Sequence, residues 1–157
     1  MSSLSSPERA LFQAALELLS RREHSRQELC QKLANRFPVA DFELLFQRLE
    51  ELNYQSDQRF AQVLARSRLQ RGQGPLRIRR ELQQRGVADD CIATALEQLE
   101  VDWYARAVEV LQRKFPVPVS PALPRERQLK ECSRRQRYLA YRGFPGDAIQ
   151  WALAAEV

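Results

Sequence analysis

Apolar residues recur at intervals of three and four along most of the chain, with polar residues between them. Near the N-terminus one such stripe consists of Leu11, Ala15, Leu18 and Leu19. This spacing places apolar side chains on one face of an α-helix. No segment alternates apolar and polar residues clearly enough to favour a strand, and the commonest residues are strong helix formers. The pattern therefore predicts an all-α protein.

Three segments of the chain repeat one pattern. Each contains Leu-x-x-Arg near the end of its second predicted helix, at Leu33/Arg36, Leu82/Arg85 and Leu139/Arg142. A glycine and an apolar residue follow in the later two, at Gly86-Val87 and Gly143-Phe144. An apolar pair four residues apart comes next, at Leu45/Leu49, Ile92/Leu96 and Ile149/Leu153. Because the spacing from Leu82 to Ile92 equals that from Leu139 to Ile149, we interpret the segments as degenerate repeats, the first with a longer turn and no glycine.

Each repeat is predicted to hold three helices, with boundaries at 1–53, 54–100 and 101–157. Pro7 behind Ser6, the capping box Ser25 to Glu28, Pro75 after the Gly72–Gly74 break, and a capping Asp89 mark helix starts. Three-helix units have small cores, so neighbouring repeats are expected to stack. We therefore expect about nine helices in an elongated, curved arrangement.

The third repeat contains a proline-rich segment, 116–124, that cannot be helical because its prolines remove backbone donors. We interpret it as an extended loop and assign it no role. A long helix is predicted after it, from about Arg125 to Arg142. Its expected packing side consists of Leu129, Cys132, Gln136, Leu139 and Ala140. Trp103 and Trp151 are expected to be core anchors.

The opposite side of this long helix carries a row of cations, Arg127, Lys130, Arg134 and Arg137, which ends at Tyr141. Aligned on the repeated leucine, Arg77 and Arg80 of the second repeat match Arg134 and Arg137. In the first repeat Glu28 and Gln31 hold those places. Further basic residues lie at Arg66, Arg68 and Arg71, and a weaker patch comprises Arg22, His24 and Arg26.

These rows are compatible with an ordinary solvated helix face, but their repetition in a chain of net charge +5 favours a surface for a polyanion. The planar guanidinium matches phosphate and carboxylate. Tyr138 and Tyr141 could stack on bases or pack between repeats. His24 is as well explained as a neighbour of the helix cap as by a contact role.

Catalytic and metal sites find little support in the sequence. The single histidine excludes most Ser-His and Cys-His arrangements, and Gly72-x-Gly74 is too short for a phosphate loop. The three cysteines lie far apart, which is typical of reduced, mostly buried thiols in the cytoplasm. No signal peptide or membrane span is recognisable. We expect a cytoplasmic, monomeric protein that is not an enzyme and needs no cofactor.

The chain resembles the RecX family of RecA regulators. The matching pieces run in order from about residue 10 to residue 153: 22–33 (REHSRQELCQKL), 57–61 (DQRFA), 71–75 (RGQGP) with Ile78 and Leu82, 85–87 (RGV), and 142–144 (RGF) with Ile149 and Leu153. Each piece alone is weak, and their order and spacing together are specific.

The resemblance implies three tandem three-helix repeats in a curved molecule. It also implies a partner and a function: association with the RecA filament on single-stranded DNA, and inhibition of ATP hydrolysis, strand exchange and coprotease activity. The alternative is a helical module that binds DNA without sequence preference and without RecA. An interaction scaffold that uses no nucleic acid is a third possibility, and it predicts an interface that does not respond to salt.

Overall fold

The computed structural model describes residues 4–156, which form nine α-helices and no strand. The helices are α1 (Ser6–Arg21), α2 (Arg26–Leu33), α3 (Phe42–Glu51), α4 (Asp57–Gln70), α5 (Pro75–Gln84), α6 (Asp89–Gln98), α7 (Trp103–Lys114), α8 (Arg125–Arg142) and α9 (Gly146–Ala154). The predicted all-α fold of three three-helix repeats is confirmed. Among the residues described, no helix combines the length and apolarity that a membrane span requires.

Helix starts follow the capping chemistry of the sequence, with two small corrections. Ser25 caps α2, and its hydroxyl accepts the Glu28 N–H while the Ser25 N–H donates to Glu28 Oε1. Ser5, not Ser6, caps α1. Asp89 lies inside the first turn of α6 instead of before it, and its carboxylate accepts a bond from Gln83. An acidic side chain in a first turn still interacts favourably with the helix dipole.

The glycine turns after α5 and α8 share one geometry. Gly86 and Gly143 both have left-handed φ values, of 79° and 98°. The next residue closes each turn, because Val87 N–H donates to the Leu82 carbonyl and Phe144 N–H to the Leu139 carbonyl, both at 3.1 Å. This is the Schellman arrangement, which satisfies carbonyls at a helix end. The first repeat ends α2 differently, with Phe37 N–H on the Leu33 carbonyl at 2.9 Å, so it needs no glycine there.

The described chain divides into two compact units. The N-terminal unit comprises residues 4–64 and 82–95, and the C-terminal unit comprises 65–81 and 96–156, so α4, α5 and α6 each contribute to both. The core of the N-terminal unit contains Leu11, Ala14, Ala15, Leu29, Leu33, Leu45, Phe46 and Leu49. A second core contains Ala107, Val110, Leu111, Leu139, Phe144, Ala148, Ile149 and Ala152. Repeated leucines Leu33 and Leu139 thus occupy corresponding core positions.

The packing side of α8 was predicted wrongly, apart from Leu139. Leu129 is 58% exposed, and Cys132, Gln136 and Ala140 are exposed as well. The buried and half-buried residues of α8 are Gln128, Glu131, Arg135, Tyr138, Leu139 and Arg142. A buried arginine, Arg135, lies on this side of the helix and forms ion pairs with Glu131 and Glu156.

Two further expectations about burial were also wrong. Trp151 is 59% exposed and meets only the edge of Tyr104, at a centroid distance of 5.8 Å, while Trp103 packs against the core through Phe144. Cys132 is exposed, and Cys30 and Cys91 are half-buried rather than buried. Amphipathic side chains such as tryptophan can lie at a surface with one edge covered, so residue type alone does not assign them to a core.

The proline-rich loop is confirmed as non-helical and is tied to α8. Arg135 Nη2 donates to the Val117 carbonyl at 3.0 Å, and Gln128 Nε2 donates to the Leu123 carbonyl at 2.7 Å. The guanidinium of Arg135 also lies 4.5 Å from the centre of the Phe115 ring. These contacts hold the loop on the packed side of α8, and Arg134 also lies 5.3 Å from the centre of the Phe115 ring.

Candidate polyanion-binding surface

All nine basic residues predicted to form the main surface belong to the C-terminal unit. They lie at the end of α4 and just after it (Arg66, Arg68, Arg71), on α5 (Arg77, Arg80) and on α8 (Arg127, Lys130, Arg134, Arg137). The weaker candidates Arg22, His24 and Arg26 belong to the N-terminal unit. The two groups are therefore described separately.

The start of α5 meets the end of α8 through main-chain hydrogen bonds. We call this contact the second junction, and the matching contact at the start of α2 the first junction. Gly74 N–H donates to the Arg142 carbonyl at 2.7 Å, and Leu76 N–H donates to the Gly143 carbonyl at 2.9 Å. A Cβ on Gly74 would lie 2.5 Å from the Gly143 carbonyl carbon, so only glycine allows the approach. Main-chain N–H groups without a partner inside the helix, at the start of α5, thus bind main-chain carbonyls at the end of α8.

Arg77 and Tyr141 lie side by side at the second junction. The Arg77 guanidinium is 4.9 Å from the centre of the Tyr141 ring, and its Nη1 donates to the Tyr141 carbonyl at 3.4 Å. Tyr141 is nevertheless 72% exposed. Since Arg77 belongs to the α5 row and Tyr141 ends the α8 row, the two cationic rows meet at this pair.

Most cations of the surface have no close carboxylate that offsets their positive charge. Arg66, Arg71, Arg80, Arg127 and Arg137 are exposed, and within residues 4–156 no carboxylate lies within 4.0 Å of them. Lys130 and Arg134 approach Glu126 and Glu131 only at 3.9 and 4.0 Å, on exposed side chains. Ion pairs of that kind contribute little, so the positive charge stays available to a partner.

Arg68 differs from the other eight. Its Nε and Nη2 donate to the two carboxylate oxygens of Glu81 at 2.8 and 2.7 Å, and its side chain is only 16% exposed. The hydrogen bonds that Arg68 donates to Glu81 raise the pKa of Arg68 above its ordinary value. A bidentate pair of this geometry stabilises the α4–α5 contact. We therefore leave Arg68 out of the surface proposed below.

The N-terminal unit contains a matching first junction, between the start of α2 and the end of α5. Ser25 Oγ donates to the Arg85 carbonyl at 2.7 Å, in the place where Gly74 N–H binds Arg142. Here a buried carboxylate, Glu28, accepts from Arg22 Nη2 at 2.8 Å and from Arg85 Nη1 at 2.6 Å. Burial raises the pKa of Glu28, but the hydrogen bonds from Arg22 and Ser25 outweigh it and lower that pKa to about 2.

His24 belongs to the same network. The ring is 1% exposed, with Nδ1 3.0 Å from the Arg22 carbonyl and Nε2 3.2 Å from Lys32 Nζ. These partners suit a neutral ring with a proton on Nδ1, and burial lowers its pKa. Arg26 lies against the Phe46 ring. The weaker patch is thus occupied by internal contacts, and we do not include it in the proposed surface.

Two arginines that matter here were missed. Arg135, 4% exposed, pairs with Glu131 at 2.7 Å and with Glu156 at 3.2 Å. Arg142 donates through Nε to the Gly72 carbonyl at 3.3 Å and through Nη2 to the Arg71 carbonyl, which joins the end of α4 to the second junction. Arg142 could have been found from its place in the repeated Leu-x-x-Arg. No sequence signal separates Arg135 from its exposed neighbour Arg134.

The described residues contain no group of three or more His, Cys, Asp or Glu side chains that could hold a metal ion. What the geometry assembles is a cationic surface with one exposed aromatic ring. Three-helix repeats with matched glycine turns and arginine rows on two of their second helices define a helical-repeat protein.

Comparison with known proteins agrees with this class. Models of the RecX family match in order: the first three-helix domain of RecX at residues 12–43, the second at 56–96 and the third at 100–153. Regulatory protein RecX of Halorhodospira halophila is 44% identical over 156 residues, which cover 99% of this chain and 93% of the relative. Regulatory protein RecX of Chromohalobacter salexigens is 43% identical over 141 residues, covering 89% and 88%. The chain belongs to the RecX family of regulatory proteins.

Solved structures show the same fold. The crystal structure of RecX from Lactobacillus salivarius superimposes with a TM-score of 0.78 at 20% identity and covers 98% of both chains. A second crystal structure, of regulatory protein RecX, has a TM-score of 0.70 at 20% identity and covers 95% of this chain and 79% of the other. The arrangement of three-helix repeats is therefore retained where four of five residues differ.

Proposed function

We propose that the chain regulates RecA by binding RecA filaments assembled on single-stranded DNA, and that it inhibits their ATP hydrolysis, strand exchange and coprotease activity. Membership of the RecX family supports the partner and the kind of regulation. The observation that carries the proposal is the second junction, where the cationic rows of α5 and α8 meet at Arg77 and Tyr141.

The surface we propose consists of eight cations, Arg66, Arg71, Arg77, Arg80, Arg127, Lys130, Arg134 and Arg137, with Tyr141 at the meeting point. A nucleoprotein filament offers phosphates and surface carboxylates, and guanidinium groups bind both. Each phosphate neutralised releases counterions, so binding through this surface weakens steeply as salt increases. An interface built on apolar packing alone would respond much less.

Charge reversal tests the proposal. The variants are Arg77→Glu with Arg80→Glu, and Arg134→Glu with Arg137→Glu, each compared with the wild type for inhibition of RecA ATPase on single-stranded DNA. We expect inhibition to be lost while the free energy of unfolding changes by less than about 0.5 kcal/mol per site, since these are surface positions. Arg9→Glu, an exposed reversal on α1, is the matched control and should inhibit like the wild type. Unchanged inhibition by both double variants rejects the surface.

The alternative, DNA binding without RecA, is separated by a competition experiment. RecA is assembled on single-stranded DNA first, and excess duplex DNA is then added at fixed salt. A regulator that recognises the filament keeps inhibiting, whereas a nonspecific DNA-binding module is drawn onto the duplex and inhibition disappears.

We also propose boundaries for the three repeats, at residues 1–53, 54–100 and 101–157.

A further inference from the structure

We propose that Tyr141 and Arg77 form a stacking site for an unpaired nucleobase of single-stranded DNA. This inference rests on the proposed function and deepens it, because it assigns a ligand to one point of the cationic surface. A bound base would lie on the uncovered face of the Tyr141 ring, while its flanking phosphates would meet arginines of α5 and α8.

The first support is the position of the ring. Tyr141 lies in the last turn of an 18-residue helix, and the residue is 72% exposed although it is among the largest apolar side chains of α8. One face is covered by the Arg77 guanidinium at 4.9 Å. The remaining exposure leaves the other face open. An aromatic ring polarised by a guanidinium on one side is suited to take a flat, electron-rich partner on the other.

The second support is rigidity. The Tyr141 carbonyl accepts from Arg77 Nη1, and the carbonyls of the next two residues, Arg142 and Gly143, accept main-chain N–H groups of α5. Three consecutive carbonyls are thus held by one neighbouring helix. Because the backbone and the guanidinium are fixed before any ligand arrives, stacking costs less ordering entropy than it would on a mobile side chain.

The third support is the charge around the ring. Residues 132–143 (CSRRQRYLAYRG) contain no acidic residue, and two of their four arginines, Arg134 and Arg137, are exposed. Arg137 lies one turn before Tyr141 and Arg80 one turn after Arg77, and both are exposed. A base on the ring would therefore have cations on both sides for its phosphates. Bases in a duplex are already stacked on their neighbours, so such a site selects single strands.

The test compares two oligonucleotides of equal length and charge, one of thymidines and one with abasic sites, without RecA. Binding of the fluorescein-labelled strands to the full chain is followed by anisotropy at fixed salt. We expect Tyr141→Ala to weaken binding to the thymidine strand about tenfold, the usual effect of removing one stacked base, and to leave binding to the abasic strand unchanged. Tyr141→Phe should restore the preference for bases, since stacking needs the ring and not the hydroxyl.

Two controls separate stacking from charge and from folding. Arg137→Ala should weaken binding to both strands equally and make the salt dependence shallower by about one ion. Tyr54→Ala removes an exposed tyrosine of the N-terminal unit and should change neither affinity. Equal loss on both strands in Tyr141→Ala, or a wild-type chain that does not distinguish the strands, overturns the stacking site. Neither result touches inhibition of RecA, which the charge-reversal variants test independently.

Discussion

The first and second junctions have the same backbone plan and opposite electrostatics. In each, the start of a second helix binds the carbonyl of an arginine that precedes a left-handed glycine, through Ser25 to Arg85 and through Gly74 to Arg142. The residue three places after the helix cap is Glu28 in the first junction and Arg77 in the second. Glu28 forms ion pairs with two arginines, Arg22 and Arg85, whereas Arg77 contacts the exposed ring of Tyr141.

This difference separates a structural position from a proposed binding position at equivalent points of a repeat. A buried carboxylate between two guanidiniums holds both of them in internal ion pairs. Without it, Arg142 turns to main-chain carbonyls, and Arg77 remains a cation at the surface. The two junctions thus share a backbone plan, and the residue at the matching position differs in sign: Glu28 is satisfied internally, whereas Arg77 lies in the surface that we propose for a polyanion.

The largest expected effect is on the second junction itself. In Gly143→Ala the new Cβ would overlap the Arg77 side chain and lie 2.6 Å from its main-chain nitrogen, at a φ of +98°. We expect the free energy of unfolding to fall by about 3 kcal/mol, measured by urea denaturation. Gly86→Ala should cost about half as much, because its Cβ would meet mainly the side chain of Gln27, which can move more easily than backbone.

Gly146→Ala is the matched control, since nothing lies within 4 Å of the position where its Cβ would be. It should leave stability unchanged or slightly raised, as alanine favours helices. If Gly86→Ala proved as damaging as Gly143→Ala, the contrast between side-chain and backbone contacts at the two junctions would be refuted.

The next effect concerns the buried carboxylate. Glu28→Gln keeps the shape of the side chain and removes the charge between Arg22 and Arg85. We expect a loss of about 2 kcal/mol at neutral pH, typical of charge-assisted hydrogen bonds to a buried group. Thermal or urea unfolding measures it. A variant as stable as the wild type would show that the two arginines need no counter-charge.

The pH dependence of the free energy of unfolding gives a second measure of the contribution of Glu28. The folded-state pKa of Glu28, about 2, lies below its ordinary value of 4.5, so its contribution is complete above pH 4.5 and is lost as the pH falls toward 2. His24 behaves likewise in another window: burial lowers its pKa, so stability declines as the pH falls through 6.5. Unfolding curves from pH 8 to 2 should show both steps in the wild type, and Glu28→Gln should show a smaller acidic one, because Asp147, whose pKa is lowered by the hydrogen bond from Tyr104, still contributes there.

The smallest effect is expected at the equivalent position of the second junction. Arg77→Gln removes a charge that has no carboxylate partner among the described residues, and only its contacts with Tyr141 are lost. Stability should change by less than about 0.5 kcal/mol, while binding to the thymidine strand weakens. A loss of stability equal to that of Glu28→Gln would mean that the two positions do not differ in role.

Local rules explain how much of the fold could be predicted. The capping box at Ser25, the proline at the start of α5 and the glycine turns at Gly86 and Gly143 each depend on residues within a few positions of one another. Their geometry is short-range, so the pattern of residues is enough to find them. The packed side of α8 was missed because Arg135 is buried by partners 18 and 21 residues away, Val117 and Glu156.

The candidate surface also has a part that the sequence predicts and a part that only the tertiary structure decides. That cations recur on α5 and α8 follows from helical spacing alone, and so does the presence of Glu28 and Gln31 at the matching positions of α2. The sequence does not show which of these cations remain free of a carboxylate. Arg68 and Arg77 look alike along the chain, yet Arg68 pairs with Glu81 and Arg77 contacts Tyr141 of α8. Helix formation and chain turns are governed by neighbouring residues, whereas burial, ion pairing and the meeting of two rows depend on contacts between segments far apart, which close only when the chain has folded.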